Sequence, residues 1–359
     1  MAYTVIDKPS DYFNTVLYTG NNTSQSITGV GFQPDWVWLK ERNGTEQHNL
    51  YDSVRGVHKR LMADANSLEY SSDTQLTAFG SDGFSVGSSD AINDAGNTMV
   101  AWNWRAGTAF TNDASSTSIG TLDSAGSSNQ EAGFSIVSYT SNGSSNQSVA
   151  HNLGGVPEMI ISKNRDSTSA SYNYWTVYHH SLATANDKKL KLNTTDAAST
   201  TNEWGDTDPT STVYSLHTSG DGTTNHSTDK MISYCFRSIK GYSKFSSYIG
   251  NGQDTPNGVF TYLGFTPAFI LIKATDSNSW VIVDDKRPAD PNPVDSSLAA
   301  NSSDAETTGD SNTTFDFLSN GFRTNGNSGN NNSSGQEYIF MAFASSPFTT
   351  STGIPATAK

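Results

Sequence analysis

Five of the seven histidines fall in one stretch, at His151, His179, His180, His217 and His226. Imidazole suits zinc, iron or nickel, so this is the first place to look for a metal centre. The spacing argues against one. His179 and His180 are adjacent, which sends their rings to opposite faces of a strand. The other three lie far away, with no H-x-H or H-x-x-x-H pattern. All five read as loop or solvent-facing histidines, and no metal or other cofactor is expected.

Carboxylates offer two further chemistries. Asp206 and Asp208, Asp82, Asp90 and Asp94, and Asp284 and Asp285 form oxygen clusters, but none follows the ligand spacing of a calcium loop. Aspartate and asparagine are also preferred turn residues. Glycoside cleavage needs two acids held across a substrate, and no matched pair recurs along the chain. A nucleophile elbow, a phosphate loop and a dinucleotide fingerprint are all missing from the sequence. The expectation is a protein without enzymatic activity.

Binding chemistry remains. Trp204 lies in the polar run Thr200-Thr201-Asn202-Glu203-Trp204-Gly205-Asp206. An indole isolated among turn residues reads as a contact, able to stack on a sugar ring while Asp206 and Asp208 bond its hydroxyls. These three are the candidate binding residues. The other tryptophans read as fillers of three small cores. Cys235, the single cysteine, stands between Tyr234 and Phe236 and reads as a thiol packed as a small apolar group.

The elements that must position these residues announce themselves by repetition. Pro34-Asp35-Trp36-Val37-Trp38-Leu39-Lys40, Pro157-Glu158-Met159-Ile160-Ile161-Ser162-Lys163 and Pro267-Ala268-Phe269-Ile270-Leu271-Ile272-Lys273 share one spacing from proline to lysine. Their apolar residues are consecutive, as in a strand covered on both faces. The lysine reads as a charged gatekeeper against aggregation. An aromatic turn precedes each run, at Tyr18, Tyr139 and Tyr248. An alternating aromatic strand closes each, at Trp102/Trp104, Tyr234/Phe236 and Met341/Phe343. Asp82-Gly83 and Asn320-Gly321 are hairpin signals whose glycines suit a type I′ turn.

The prolines lie a small domain's length apart, far beyond a solenoid period. The reading is an all-β chain of three tandem β-sandwich repeats, jelly-roll-like or immunoglobulin-like. The boundaries are 1–106, 132–240 and 241–348, with a flexible Ser/Thr/Gly linker at 107–131 and a mobile tail at 349–359. The second and third units would be rigidly joined and the first hinged.

Composition limits the partners. A net charge of −14 and a pI of 4.7 leave no basic stripe to neutralise phosphates, so no nucleic acid is expected. The amino terminus has no basic region followed by an apolar core, and no apolar run is long enough to cross a bilayer. Neither a signal peptide nor membrane insertion is expected. Neutral glycans and other protein surfaces stay open.

Ala132-Gly133-Phe134-Ser135-Ile136-Val137-Ser138-Tyr139-Thr140, the run Pro157–Arg165, Trp175-Thr176-Val177-Tyr178-His179 and Tyr338-Ile339-Phe340-Met341-Ala342-Phe343-Ala344 resemble the repeated β domains of tail-fibre-like virion proteins of marine bacteriophages, including cyanobacterial ones. The resemblance covers residues 11–348. It implies a structural protein of the virion, assembled in the host cytoplasm, with other virion proteins of tail or capsid as partners. Attachment to a host-surface glycan is the implied role, homo-oligomerisation a further one, and no catalytic residue is carried over. No heptad pattern marks a shaft. A capsid decoration or head appendage that stabilises the particle is therefore the first alternative, and a carbohydrate-binding module or polysaccharide hydrolase the second.

Overall fold

Alternation along the proline-led strands sets the architecture. Trp36 and Trp38 face one way and Val37 and Leu39 the other, and each side meets a different layer. The same split separates Phe269 and Leu271 from Ile270 and Ile272. A strand buried on both faces has no polar side to spare, which accounts for the unbroken apolar runs. The structure, a computed structural model, describes residues 3–167, 169–218, 224–311 and 313–355. It is all-β of the sandwich type, and its only α-helical segments are the single turns Asp90–Asn93 and Ala114–Thr117 among the described residues.

One strand order occurs in three large antiparallel sheets. In the first, the opening strand Phe13–Thr19 pairs with the closing strand Thr98–Trp104, which pairs with the proline-led strand Trp36–Glu41. The return strand Asn49–Asp52 and the short Lys59–Met62 follow. Phe134–Thr140, Lys230–Phe236, Met159–Asn164, Trp175–His179 and Lys188–Lys191 keep that order in the second sheet. Ser243–Ile249, Glu337–Pro347, Phe265–Ala274, Trp280–Asp284 and Leu298–Ala299 keep it in the third. A smaller sheet covers the outer face of each. In the first and third, hairpins join Leu76–Gly80 to Gly83–Val86 and Thr314–Leu318 to Gly321–Asn325. The glycines there serve close approach instead of a type I′ turn. A Cβ on Gly83 would lie 2.0 Å from the Ile27 carbonyl oxygen, and one on Gly321 2.1 Å from that of Thr261.

The inner faces of all three large sheets meet in one core. Trp36 stacks on Tyr234 of the second sheet with ring centroids 4.4 Å apart. Phe13 packs on Phe269 and Phe343 of the third, and Phe236 touches Phe343. Aromatic pairs of this kind add about 0.5–1.5 kcal/mol beyond their buried area. The expectation of separate sandwiches with a hinged first unit is thus overturned. The covering layer on each inner face is the other two sheets.

The contacts between sheets close a ring. Glu69 N–H donates to the Arg165 carbonyl at 2.8 Å, Glu306 N–H to that of Arg42 at 2.7 Å, and Ala198 N–H to that of Thr275 at 2.8 Å. These join the second sheet to the first, the first to the third and the third to the second. Indole donors repeat the pattern, from Trp175 to the Met62 carbonyl and from Trp280 to that of Lys191.

Residues 107–131 are also unlike the expected linker. Thr108–Asn112 and Ser124–Asn129 are strands that extend the second sheet at its opening strand. Backbone pairing of Ser124–Asn129 to Phe134–Thr140, and of Thr108–Asn112 to Ser124–Asn129, holds them despite a composition poor in β-formers. At the far end, Ser351 N–H donates to Asp7 at 2.6 Å and Phe348 N–H to the Gly264 carbonyl, so the described part of 349–359 is tethered. Residues 356–359 lie outside the described residues.

Candidate functional site

Trp204 sits where the loop after Ser199–Thr200 folds back across the second sheet. Its indole is buried, donates to the Lys188 carbonyl at 3.1 Å and meets the edge of Tyr178 at 5.7 Å. The neighbouring Glu203 is equally buried and ion-paired with Lys189. This corrects the reading of Trp204 as an exposed stacking platform. Its apolar partners come from distant strands, so the polar run around it gave no sign of burial. Asp206 is exposed at a left-handed φ of 47°, and its carbonyl accepts from the Asn186 amide at 3.3 Å.

Asp208 alone of the three faces a cleft. This hollow of about 540 Å³ is lined by Glu158, Tyr178, His180, Leu182, Asn186 and Asp208, among others. Burial, and then the Asp208 charge, push the Tyr178 hydroxyl up to about 12. Glu158 accepts from Ser238 N–H at 3.0 Å, and His180 Nε2 donates to the Phe245 carbonyl at 3.0 Å. Two carboxylates beside a phenol suit hydroxyl or ammonium groups of a ligand. Trp204 forms part of the support beneath Tyr178 and does not line the cleft.

The remaining histidines do not converge. His179 is buried, donates through Nε2 to the Phe340 carbonyl and accepts from Ser181 N–H. Burial lowers it to about 3. His151 is lowered to about 4 by the same cause and donates to the Thr210 carbonyl. Both are thus neutral structural groups, which corrects the solvent-facing expectation. His226 stacks on Tyr172 and pairs with Asp229 at 2.6 Å. Among the described residues no three His, Cys, Asp or Glu side chains gather in a way that could hold a metal ion. Cys235 is buried, with burial pushing its thiol up.

The lysines ending the proline-led strands are likewise interior groups and not surface gatekeepers. Lys40 donates to the Glu41 and Gly44 carbonyls, Lys163 to Asn173, and Lys273 to Ala274 and Asp276. Each ammonium ties down the loop that follows its strand. Desolvation lowers Lys163 to about 7 and Lys273 to about 8.

Sequence reasoning passed over three buried asparagines. Asn93, Asn225 and Asn332 each accept through Oδ1 from the N–H of Asn21, Asn142 or Asn251, at 3.0 Å every time. Their amides donate back into the same turn, to Thr23, Ser144 and Gln253. Beside them Tyr18, Tyr139 and Tyr248 donate to the carbonyls of Ile92, Thr224 and Asn331. A constant spacing ahead of each closing strand was the available signal.

Residues 8–347 match the family described as a domain of unknown function, DUF7483. The chain belongs to the DUF7483 family. That match runs unbroken across all three sheets, the span over which the shared core extends. No curated protein matches the chain.

Proposed function

We propose that this member of the family is a non-enzymatic structural protein of a bacteriophage virion, a tail-fibre-like appendage that presents loops to host-surface glycans. One strand set, copied twice, would have supplied the three sheets. The observation that carries the reading is how the chain uses its aromatic and ionised side chains. All seven tryptophans are buried, and Asp52, Arg55, Asp284 and Arg287 sit fully buried in ion pairs. What faces outward is mostly polar loop on a rigid body, which suits adhesion under mechanical load better than turnover. Sequence resemblance to tail-fibre-like virion proteins supports the same reading.

Purified particles stained with an antibody to this chain test it directly. Label on the particle at a few copies on the tail is the expected result. Label over the whole capsid would transfer the role to decoration, and unlabelled particles would overturn the proposal. Release of reducing sugar from host polysaccharide by the pure protein would overturn the non-enzymatic part.

A further inference from the structure

The added strands Thr108–Asn112 and Ser124–Asn129 have no counterpart in the other two sheets. The connection from the second sheet to the third needs only the residues between Phe236 and Ser243. Thr108–Asn112 contributes little to the shared core, since most of its side chains face solvent. Its effect is to build a groove.

Two clefts of about 480 and 420 Å³ adjoin there and share Gln130 and Asn152. Both volumes are of the size that holds small ligands. A half-buried ring stands in each cleft. Phe110 pairs with Gly126 on the adjoining strand, and a Cβ on Gly126 would come within 2.8 Å of the Phe110 ring. The ring therefore sits over the glycine, half-buried against the core and lining the cleft. Tyr12 is braced edge-on by Tyr242 at 5.9 Å and donates its hydroxyl to Glu131 at 3.0 Å.

Between the rings stand exposed amides. Gln130 Nε2 makes only long contacts, 3.3 and 3.4 Å, with Asn152, so its better hydrogen-bonding directions are open. The backbone beneath is fixed, because the Arg237 guanidinium holds the Gln130 carbonyl at 2.5 Å. Arg105 lines one end, and its guanidinium enters no ion pair among the described residues.

We infer that this groove binds a short oligosaccharide. An aromatic ring in the lining of each cleft offers apolar contact to pyranose C–H groups, and the amides between them offer donor and acceptor together to vicinal hydroxyls. The free guanidinium adds donors at one end. A nucleic acid would meet an acidic protein. The inference rests on the attachment reading above for its biological sense, but its test is separate.

Saturation-transfer NMR and calorimetry on the full chain, with cellohexaose, maltohexaose, chitohexaose and hexamannuronate as probes, decide the matter. At least one probe should bind. Phe110→Ala and Gln130→Ala should each weaken it at least ten-fold while leaving the melting temperature within a few degrees. Gln130 is exposed, so its substitution stands even if Phe110→Ala disturbs folding. Binding unchanged in both variants, or no binding by any probe at millimolar concentration, overturns the groove. Neither result bears on whether the chain is found on particles, so the two readings fail separately.

Discussion

Two of the three interfaces that close the ring carry a linked quartet of ion pairs, and among the described residues the third carries none at the matching positions. Between the second and first sheets, Asp52, Arg55, Glu69 and Arg165 form a linked quartet at 2.5, 3.1 and 2.9 Å. Between the first and third, Asp284, Arg287, Glu306 and Arg42 repeat it at 2.6, 2.8 and 2.7 Å. The matching positions between the third and second sheets hold His179, Leu182, Ala198 and Thr275. Removing one partner of such a buried network costs about 3–5 kcal/mol, whereas replacing the whole network is often neutral.

The difference bears on how the ring closes in the correct order. Three sheets with one strand order could dock in the wrong sequence. Arg42 set against Ala198 would be a guanidinium with no acid, and Glu69 set against Thr275 an acid with no base. Unpaired partners of that kind penalise the wrong arrangement. The interface without a quartet thus specifies order as much as the other two do.

The comparison breaks most visibly at the aspartates. Asp52→Ala leaves Arg55 with Glu69 as its one remaining carboxylate in the quartet and also removes the acceptor of the Tyr234 hydroxyl at 2.7 Å. Asp284→Ala does the same to Arg287 and the Trp102 indole. Each should lose about 3–5 kcal/mol in urea unfolding, against about 1–2 kcal/mol for His179→Ala, which removes neutral hydrogen bonds. Equal losses at all three would mean that the quartets carry no special charge coupling.

Conversion of a whole quartet sharpens the point. Asp52→His, Arg55→Leu, Glu69→Ala and Arg165→Thr together should remain within about 2 kcal/mol of the native chain, because the charges leave as a set. A loss equal to the sum of the four single changes would contradict this.

Protons separate the regions more gently. The folded value of His179 lies below its usual one, so the unfolded chain binds the extra proton between pH 6.5 and about 3. Stability is then full above pH 6.5 and falls as the pH drops through that window. His179→Gln should reduce the fall between pH 6.5 and 5.5 by up to about 1 kcal/mol, read from urea midpoints. Glu69 is held below its usual value by Arg165 and Arg55, which outweigh its burial. The first ionic interface therefore weakens only in stronger acid.

Lys163 behaves in the opposite sense on the alkaline side. Its folded value near 7 lies far below that of a free lysine, so the cost of burying the charge is fully present below pH 7. That cost is relieved as the pH rises towards the unfolded value, at up to about 1.4 kcal/mol per unit. Melting temperatures should climb from pH 7 to 9, and Lys163→Met should flatten the climb. An unaltered slope in that variant would count against the buried ammonium.

The strands that build the ring were legible in the sequence because Trp36-Val37-Trp38-Leu39 and its counterparts carry their burial in residue type. The proline-led and closing strands picked out by their repetition are hydrogen-bonded neighbours, with Trp36 opposite Trp104. What covers those strands was not legible. An apolar face says that it is covered and not by which layer, so one shared core read as three. Residues 124–129 contain no β-branched or aromatic side chain and take strand form through pairing alone. Of the candidate site, Asp208 was placed at a cleft, while Trp204 misled because its partner Tyr178 arrives from another strand. The groove was hidden inside the stretch that composition marked as linker.

Calorimetric unfolding of the full chain tests the shared core most directly. One transition is expected, with the calorimetric enthalpy equal to the van't Hoff enthalpy, since no sheet can leave without exposing the Trp36, Phe236 and Phe343 cluster. Two or three resolved transitions, each with its own enthalpy, would contradict a single core.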